Sequence, residues 1–438
     1  MRILGIGHYN DLGSIYMRCA SEGHEVRVHI AEEASRDVLR GLVEQVDDLD
    51  AALAWVRAGE DHVILFEDSG WGELQDRLRG EGLHVLGSSA LGDRLEEDRA
   101  YGQHVLRDAG LATLPTYTFQ AFSAAIAFAS ENPRRYVLKF HGSDLPSSAN
   151  YVGMRDDASD VLAVLAREQA LYAADHEPEP EFSLMQHATG IEIGLGAFFD
   201  GNDFVGPINL DWEHKRFFPG DLGELTGEMG TVVTYRGGEK LFAATLAKVA
   251  PLLRSGRHVG YVNLNTITNA EGIWPLEFTC RFGYPGFAIL SALFIDDCAT
   301  VCRNIAAGTG ASFATHPGYA IGVVLTVPPF PYHHGYEELG KGQMIHLPAG
   351  LTAAEQRELH YGEVALDRGA LVTAGIVGYV MVVTGRGATI PMAQTATYDL
   401  VRRIAIPNMR YRNDIGTTVH ATGLAELARL GWLDLDGE

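Results

Sequence analysis

Residues Pro275–Ala288 read PLEFTCRFGYPGFA. The first half has the apolar, β-favouring character of a strand, yet Glu277 stands inside it and Arg281 follows four residues later. Gly283, Pro285 and Gly286 then end any regular element. The expectation is a strand that ends at a charged binding site.

Lysine use narrows the search for partners of that carboxylate. The chain has five lysines, Lys139, Lys215, Lys240, Lys248 and Lys341, while arginine does the general basic work. Lys240 and Lys248 fall on an amphipathic helical stretch, and Lys341 in a glycine-rich loop. Lys139 ends the apolar run YVLKF, where a solvated residue is not expected. Lys215 lies in HKRF between His214 and Arg216. A buried lysine needs an anionic partner, either a core carboxylate or a nucleotide phosphate.

Around this centre the chain alternates strand and helix. RILGIG, HEVRVHI, DHVILFED and LHVLG read as strands separated by helical stretches, a parallel doubly wound α/β unit. Its first turn, Gly5-x-Gly7-x-x-Asn10, lacks the third glycine of a dinucleotide fingerprint, so an oxidoreductase ranks last. Residues 88–111 read as one helix capped by Ser88 or Ser89 and closed by Gly110. Residues 191–210 read as a hairpin turning at Asp200-Gly201, residues 239–256 as a long helix, and residues 260–279 as a hairpin turning near Ala270–Gly272. The uncharged run Gly369–Gly385 is too short to span a bilayer, and its β-branched residues and glycines suggest two buried strands around a bend.

Composition bounds the partners. The 438 residues are 46% hydrophobic and 21% charged, as in soluble globular proteins of two to four packed units. Basic and acidic side chains give 34 − 57 = −23, a surface that repels nucleic acid and anionic lipid. A polyanionic ligand must then be small and held by local cations or Mg2+. Cys19, Cys280, Cys298 and Cys302 have no zinc-type spacing and read as buried residues of a reducing cytosol. His333-His334 reads as loop surface. No signal peptide is expected, and the localisation implied is cytoplasmic.

Taken in order, YVLK, a strand pair ending in GIE, HKR, GDLGELTGEMG, PLEFTCRFG and YRNDIG form a recognisable set. It resembles the phosphoribosylamine–glycine ligase family of the ATP-grasp superfamily, over nearly the whole chain. The resemblance implies an α/β ATP-grasp fold. An N-terminal doubly wound parallel domain (1–92) would precede the ATP-grasp domain (93–326, its small lid at about 119–190). A small C-terminal α+β domain (327–438) would follow. It also implies phosphorylation of a carboxylate by ATP to an acyl phosphate, release of ADP and phosphate, and attack by an amine.

The same resemblance assigns roles. Glu277 would be the Mg2+ (or Mn2+) ligand, with Thr279 where the family carries Asn. Arg281, Lys215 and Arg216 would act on the phosphate and acyl groups. Lys139 would hold phosphate, the segment Met185, Gln186, His187 and Ala188 would read adenine, Glu192 the ribose, and His214 would adjoin the nucleotide. The lid lacks the family's second lysine, so Ser147, Ser148 and backbone N–H groups would hold the phosphates. The first loop, GHYNDLGS, lacks the family's Arg-Glu-His, and Tyr284-Pro285-Gly286 replaces Asp-Pro-Glu.

The reading is therefore a carboxylate–amine ligase of this type with an altered acceptor. The alternatives are an authentic phosphoribosylamine–glycine ligase of purine biosynthesis, or a pseudo-ligase that binds nucleotide without turnover. Its partners would be an amino acid and an amine, a phosphorylated sugar amine being one form of the latter, and the chain would be a monomer or homodimer.

Overall fold

The computed structural model describes residues 1–141, 149–175 and 178–434. Three sheets organise them. In the first, β1 (Arg2–Gly7), β2 (Glu25–Ile30), β3 (Glu44–Gln45), β4 (His62–Phe66) and β5 (Val85–Leu86) lie in the order β3-β2-β1-β4-β5, all parallel. This is the doubly wound unit the alternation predicts. The glycines of GIG serve close packing: a Cβ on Gly5 would sit 2.2 Å from the Tyr16 ring, and one on Gly7 2.7 Å from Glu67 Oε2.

The second sheet comprises β6 (Thr116–Phe119), β7 (Tyr136–Phe140), β8 (Tyr151–Val152) and β9 (Phe182–Gln186), in the antiparallel order β6-β9-β7-β8. It closes over its own core of Phe122, Tyr136, Leu138, Phe182 and Leu184, against helices Phe122–Glu131 and Ser159–Asp175. Lys139 lies opposite Ser183 in the β7–β9 ladder.

The largest sheet has eight antiparallel strands in the order β16-β15-β10-β11-β14-β17-β21-β18. These are β10 (Ile191–Asp200), β11 (Phe204–Glu213), β14 (Gly230–Thr234), β15 (Val259–Asn269), β16 (Gly272–Thr279), β17 (Tyr319–Thr326), β18 (Leu359–Tyr361) and β21 (Tyr379–Gly387). Two small ribbons accompany it, β12 (Arg216–Phe218) with β13 (Leu222–Leu225), and β19 (Val364–Asp367) with β20 (Ala370–Thr373). Both expected hairpins form, as do the two strands in Gly369–Gly385. The sheet runs on past residue 327, since β18 and β21 pair alongside β17.

Two expected helices are broken. Residues 88–111 form Ala90–Glu97 and Arg99–Asp108, separated at Asp98. Ser89 caps the first through Gly92 N–H, and the Asp98 side chain caps the second through Tyr101 N–H. Residues 239–256 form Glu239–Ala244, a 3₁₀ turn Leu246–Val249 and Ala250–Ser255. At that break Thr245 Oγ1 donates to Leu241 O at 2.6 Å, a local bond that competes with helix.

All four cysteines are buried and free. Among the described residues no helix is long and apolar enough to cross a membrane.

Candidate active site

The ladders of the large sheet place polar side chains in rows. Glu277 on β16 pairs with Asn265 on β15, which pairs with Gly194 on β10, which pairs with Asp211 on β11. Two residues along, Thr279, Asn263, Gly196 and Asn209 form a second row. Side chains two apart share a sheet face, so one face presents both rows together. The glycines make the room: a Cβ on Gly194 would lie 2.0 Å from Asp211 Oδ1, and one on Gly196 2.1 Å from the Tyr261 hydroxyl. Asn209 and Asn263 donate to Asp211 Oδ2 at 2.9 and 2.7 Å, and Tyr261 donates to Asn209 Oδ1 at 2.9 Å.

Two adjoining cavities open on this face. The larger, about 620 Å³, is lined by Lys139 from the second sheet, by Met185, Gln186, His187 and Ala188 at the end of β9, and by Glu192, His214 and Arg216. The smaller, about 290 Å³, is lined by Asp211, Glu228, Thr279, Arg281 and Tyr284. Glu277, Lys215, Glu213 and Arg99 border both. Every described residue with an expected site role thus lines one cavity or the other. Ser147 and Ser148 lie outside the described residues.

Glu277 answers the opening stretch. Lys139 Nζ lies 3.1 Å from its Oε2, Arg99 contacts the same oxygen, and Lys215 Nζ is 3.8 Å from Oε1. Lys139, opposed by burial and assisted by Arg99 and Lys215, holds the carboxyl well below the usual range. Burial pulls the Lys139 ammonium down, against the pull of Glu277. Burial also opposes the charge on Lys215, but Glu213, Glu192 and Glu277 outweigh it and hold its pKa well above the usual range. Lys215 reaches Glu213 Oε2 at 2.9 Å and Glu192 Oε1 at 3.1 Å.

Arg281 faces the other way. Its Nε donates to Glu96 Oε1 at 2.9 Å, and Asp11 and Asp68, in the loops after β1 and β4, reinforce its charge. His214 is committed on both ring nitrogens: Nδ1 donates to Trp212 O at 3.2 Å and Nε2 accepts from Gly416 N–H at 3.2 Å. Arg216 donates to Gly223 O at 2.7 Å.

A hard cation fits here. Glu277 and Thr279 present a carboxylate and a hydroxyl from one face of one strand, oxygen donors of the type Mg2+ or Mn2+ takes. Beside them Asn265 has a buried Oδ1 without a partner, while its Nδ2 donates to Glu192 at 3.0 Å.

Sequence reading missed Arg99, Asp211, Glu213, Glu228, Asn263 and Asn265. Arg99 precedes the site by 178 residues, and nothing local marks it. Asp211, Asn263 and Asn265 were legible, because INLDWE and YVNLNT alternate polar with apolar at period two. YRNDIG proves to be a clamp. The buried Arg412 binds Asp414 through two bonds of 2.8 Å, Asp221 at 2.7 Å and Arg216 O at 3.1 Å. It thereby fixes the β12–β13 ribbon beside the larger cavity.

The first loop takes a form of its own. His8 N–H donates to Asp68 Oδ2 at 2.9 Å, Asp11 N–H donates to Glu67 Oε2, and Gly13 N–H donates to Asn10 O at 3.2 Å. The amides of His8, Asp11 and Gly13 therefore serve the chain's own carboxylates and a carbonyl.

A smaller sheet beside a large antiparallel sheet, with cations and a metal-type carboxylate between two cavities, places the chain in the ATP-grasp fold class. Within that class the chain is similar to phosphoribosylamine–glycine ligases. Residues 320–418 match the family described as phosphoribosylglycinamide synthetase, C domain. The phosphoribosylamine–glycine ligase of Corynebacterium ammoniagenes is 26% identical over 367 residues, 78% of this chain and 79% of that protein. In fold, the Thermotoga maritima phosphoribosylamine–glycine ligase superposes with a TM-score of 0.71 at 20% identity, covering 95% of this chain and all of the other. The biotin carboxylase domain of Hydrogenobacter thermophilus 2-oxoglutarate carboxylase, solved with MgADP, superposes with a TM-score of 0.64 at 13% identity, covering 93% and 91%.

Proposed function

We propose that this chain activates the carboxylate of an amino acid with ATP and joins it to an amine, as phosphoribosylamine–glycine ligases do. The observation that carries the reading is Glu277 with Lys215 on the wall between the two cavities. The larger cavity suits a nucleotide, and the smaller one the reacting carboxylate.

In this mechanism a carboxylate oxygen bonds to the γ-phosphorus while the bond from that phosphorus to the β–γ bridging oxygen breaks, releasing ADP. The amine nitrogen then bonds to the acyl carbon, the carbon–oxygen bond to phosphate breaks, and the amine proton passes to solvent. Lys139 and Lys215 bind phosphate oxygens, which asks only for charge and position. Arg281 presents its fork to the charge developing at the acyl group. The backbone of Met185–Ala188 reads adenine, Glu192 binds the ribose, and His214 and Arg216 shape the nucleotide wall. Ser147 and Ser148 belong to the lid in the same scheme. Glu277 and Thr279 would hold Mg2+ or Mn2+, which when bound screens the phosphate charge.

The relatives' names favour glycine and phosphoribosylamine as the substrate pair, ahead of an altered acceptor. One observation favours the second reading: the first loop spends two amides, those of His8 and Asp11, on Asp68 and Glu67, which leaves fewer donors for a sugar phosphate. Incubation with Mg-ATP, glycine and freshly formed phosphoribosylamine, followed by mass spectrometry and nucleotide chromatography, tests both. The expected products are ADP, phosphate and the glycinamide. ADP release with glycine and a different amine only would favour the altered acceptor, and AMP as the main nucleotide product would overturn the acyl-phosphate scheme.

A further inference from the structure

The smaller cavity contains more carboxylate than the proposed chemistry requires. Glu213 and Glu277 are answered by Lys215, Lys139 and Arg99. Asp211 and Glu228 are not paired in this way. Asp211 is 5% exposed and is held through Oδ2 by two amides. Glu228 is 4% exposed, and its Oε1 has no hydrogen-bond partner. The hydroxyls of Thr231 and Tyr284, on the same lining, are also buried without partners.

We propose that the smaller cavity binds an organic ammonium group, held between Asp211 and Glu228. The chemistry follows from the lining. A primary ammonium has three donors and no acceptor. Glu228 Oε1, Thr231 Oγ1 and Tyr284 Oη are oxygens that can accept. Lys215 and Arg281, on the same lining, supply the complementary charge for a carboxylate. The cavity therefore has two sides, with Lys215 by Glu277 and the unpaired carboxyl groups of Asp211 and Glu228 on its lining.

Burial also drives the Glu228 carboxyl well above its ordinary range and the Asp211 carboxyl up to about 7, with Glu213 adding to both. An arriving cation is what lets such groups ionise. A buried carboxylate without a partner lowers stability, and such costs concentrate at binding sites.

Which substrate carries the ammonium, the amino acid or the attacking amine, rests on the ligase reading. The ammonium site itself does not. Calorimetric titration of the full chain in the presence of Mg-ADP tests it, with glycine, ethylammonium and acetate as probes. At least one ammonium probe is expected to bind at millimolar concentration or tighter, and acetate to bind at least tenfold more weakly. Glu228→Gln and Asp211→Asn are each expected to weaken ammonium binding at least tenfold, with melting temperatures equal to or above the parent's. Binding of glycine alone assigns the ammonium to the amino acid, and binding of ethylammonium as well assigns it to the acceptor amine. Failure of both ammonium probes, or equal affinity in parent and variants, overturns the proposal. Parallel measurement of ADP release separates the two ideas: a chain that binds ammonium but never releases ADP keeps the site and loses the ligase reading.

Discussion

Replacing Glu277 by Gln keeps the volume and removes one charge from the point where Lys139, Arg99 and Lys215 meet. At 3.1 Å and an effective dielectric near 20, the Lys139 pair alone corresponds to about 5 kcal/mol of Coulomb energy. Most of that is offset by desolvation of both partners, and the carboxylate is 27% exposed, so about 2 kcal/mol of folding stability is the expected loss. The consequence for ligands is opposite in sign. Three cations without their carboxylate form a stronger anion site, so metal-free ATP should bind the variant more tightly than the parent. Turnover should fall by about a thousandfold or more, since the metal loses its charged ligand. Fluorescent-ATP titration in EDTA and in Mg2+, with ADP release measured alongside, reads both effects. Turnover within tenfold of the parent at saturating Mg2+, with metal-free ATP affinity unchanged, would refute the assignment of Glu277 to the metal and the phosphates.

Lys139→Ala is expected to raise the ATP KM about tenfold or more and to change kcat less, read from initial rates across an ATP series. Arg412→Ala leaves Asp414 and the Arg216 carbonyl without their buried donor, so the melting transition should drop by about 3 kcal/mol of stability. Two buried carboxyls of the unliganded protein should contribute stability that is lost as pH rises between 4 and 8. Asp11 and Asp211 have folded pKa values raised to about 6 and about 7. The folded state therefore holds protons that the unfolded state has already released, and that advantage disappears as pH passes through those values. Glu277 acts in the opposite sense, contributing stability above the usual carboxylate range that is lost as pH falls through its depressed folded value. A differential scanning series across this range reads the slope, and Asp211→Asn should flatten its upper part.

The strands were legible because their pattern is local. RILGIG, HVILF and the hairpin around Asn269–Gly272 carry the apolar runs and turn residues that sheets need. The helix breaks were less so. Asp98 is a readable N-cap, but the apolar spacing of Leu91, Leu95, Gly102 and Leu106 continues across it. At Gly102 the packing is tertiary, since an added Cβ would meet Leu95 O at 2.8 Å and the Phe278 ring at 3.6 Å. The site divides the same way. Glu277, Lys139 and Lys215 stand out as charges in improbable surroundings. Arg99 looks like any helix-surface arginine until the Arg99–Asp108 helix is laid against β16. Nothing local marks Glu228 in the glycine-rich GELTGEMG, and only the fold shows it buried.

The charge pattern at Glu277 bears on how such a site can exist without ligand. Three cations brought together in a buried cleft would repel one another, and the large sheet answers them with Glu277, Glu213 and Glu192. Each of these is a carboxylate that the proposed chemistry uses or that stands beside one it uses. Ligand entry then exchanges partners and creates little new charge. Lys139 and Lys215 turn from carboxylate to phosphate, and Glu277 turns from ammonium to a divalent cation. The exchange needs the lysines to move only along flexible stems, while the carboxylates stay on the sheet. Asp211 and Glu228 have no cation to exchange, so the same reasoning requires theirs to arrive with the substrate.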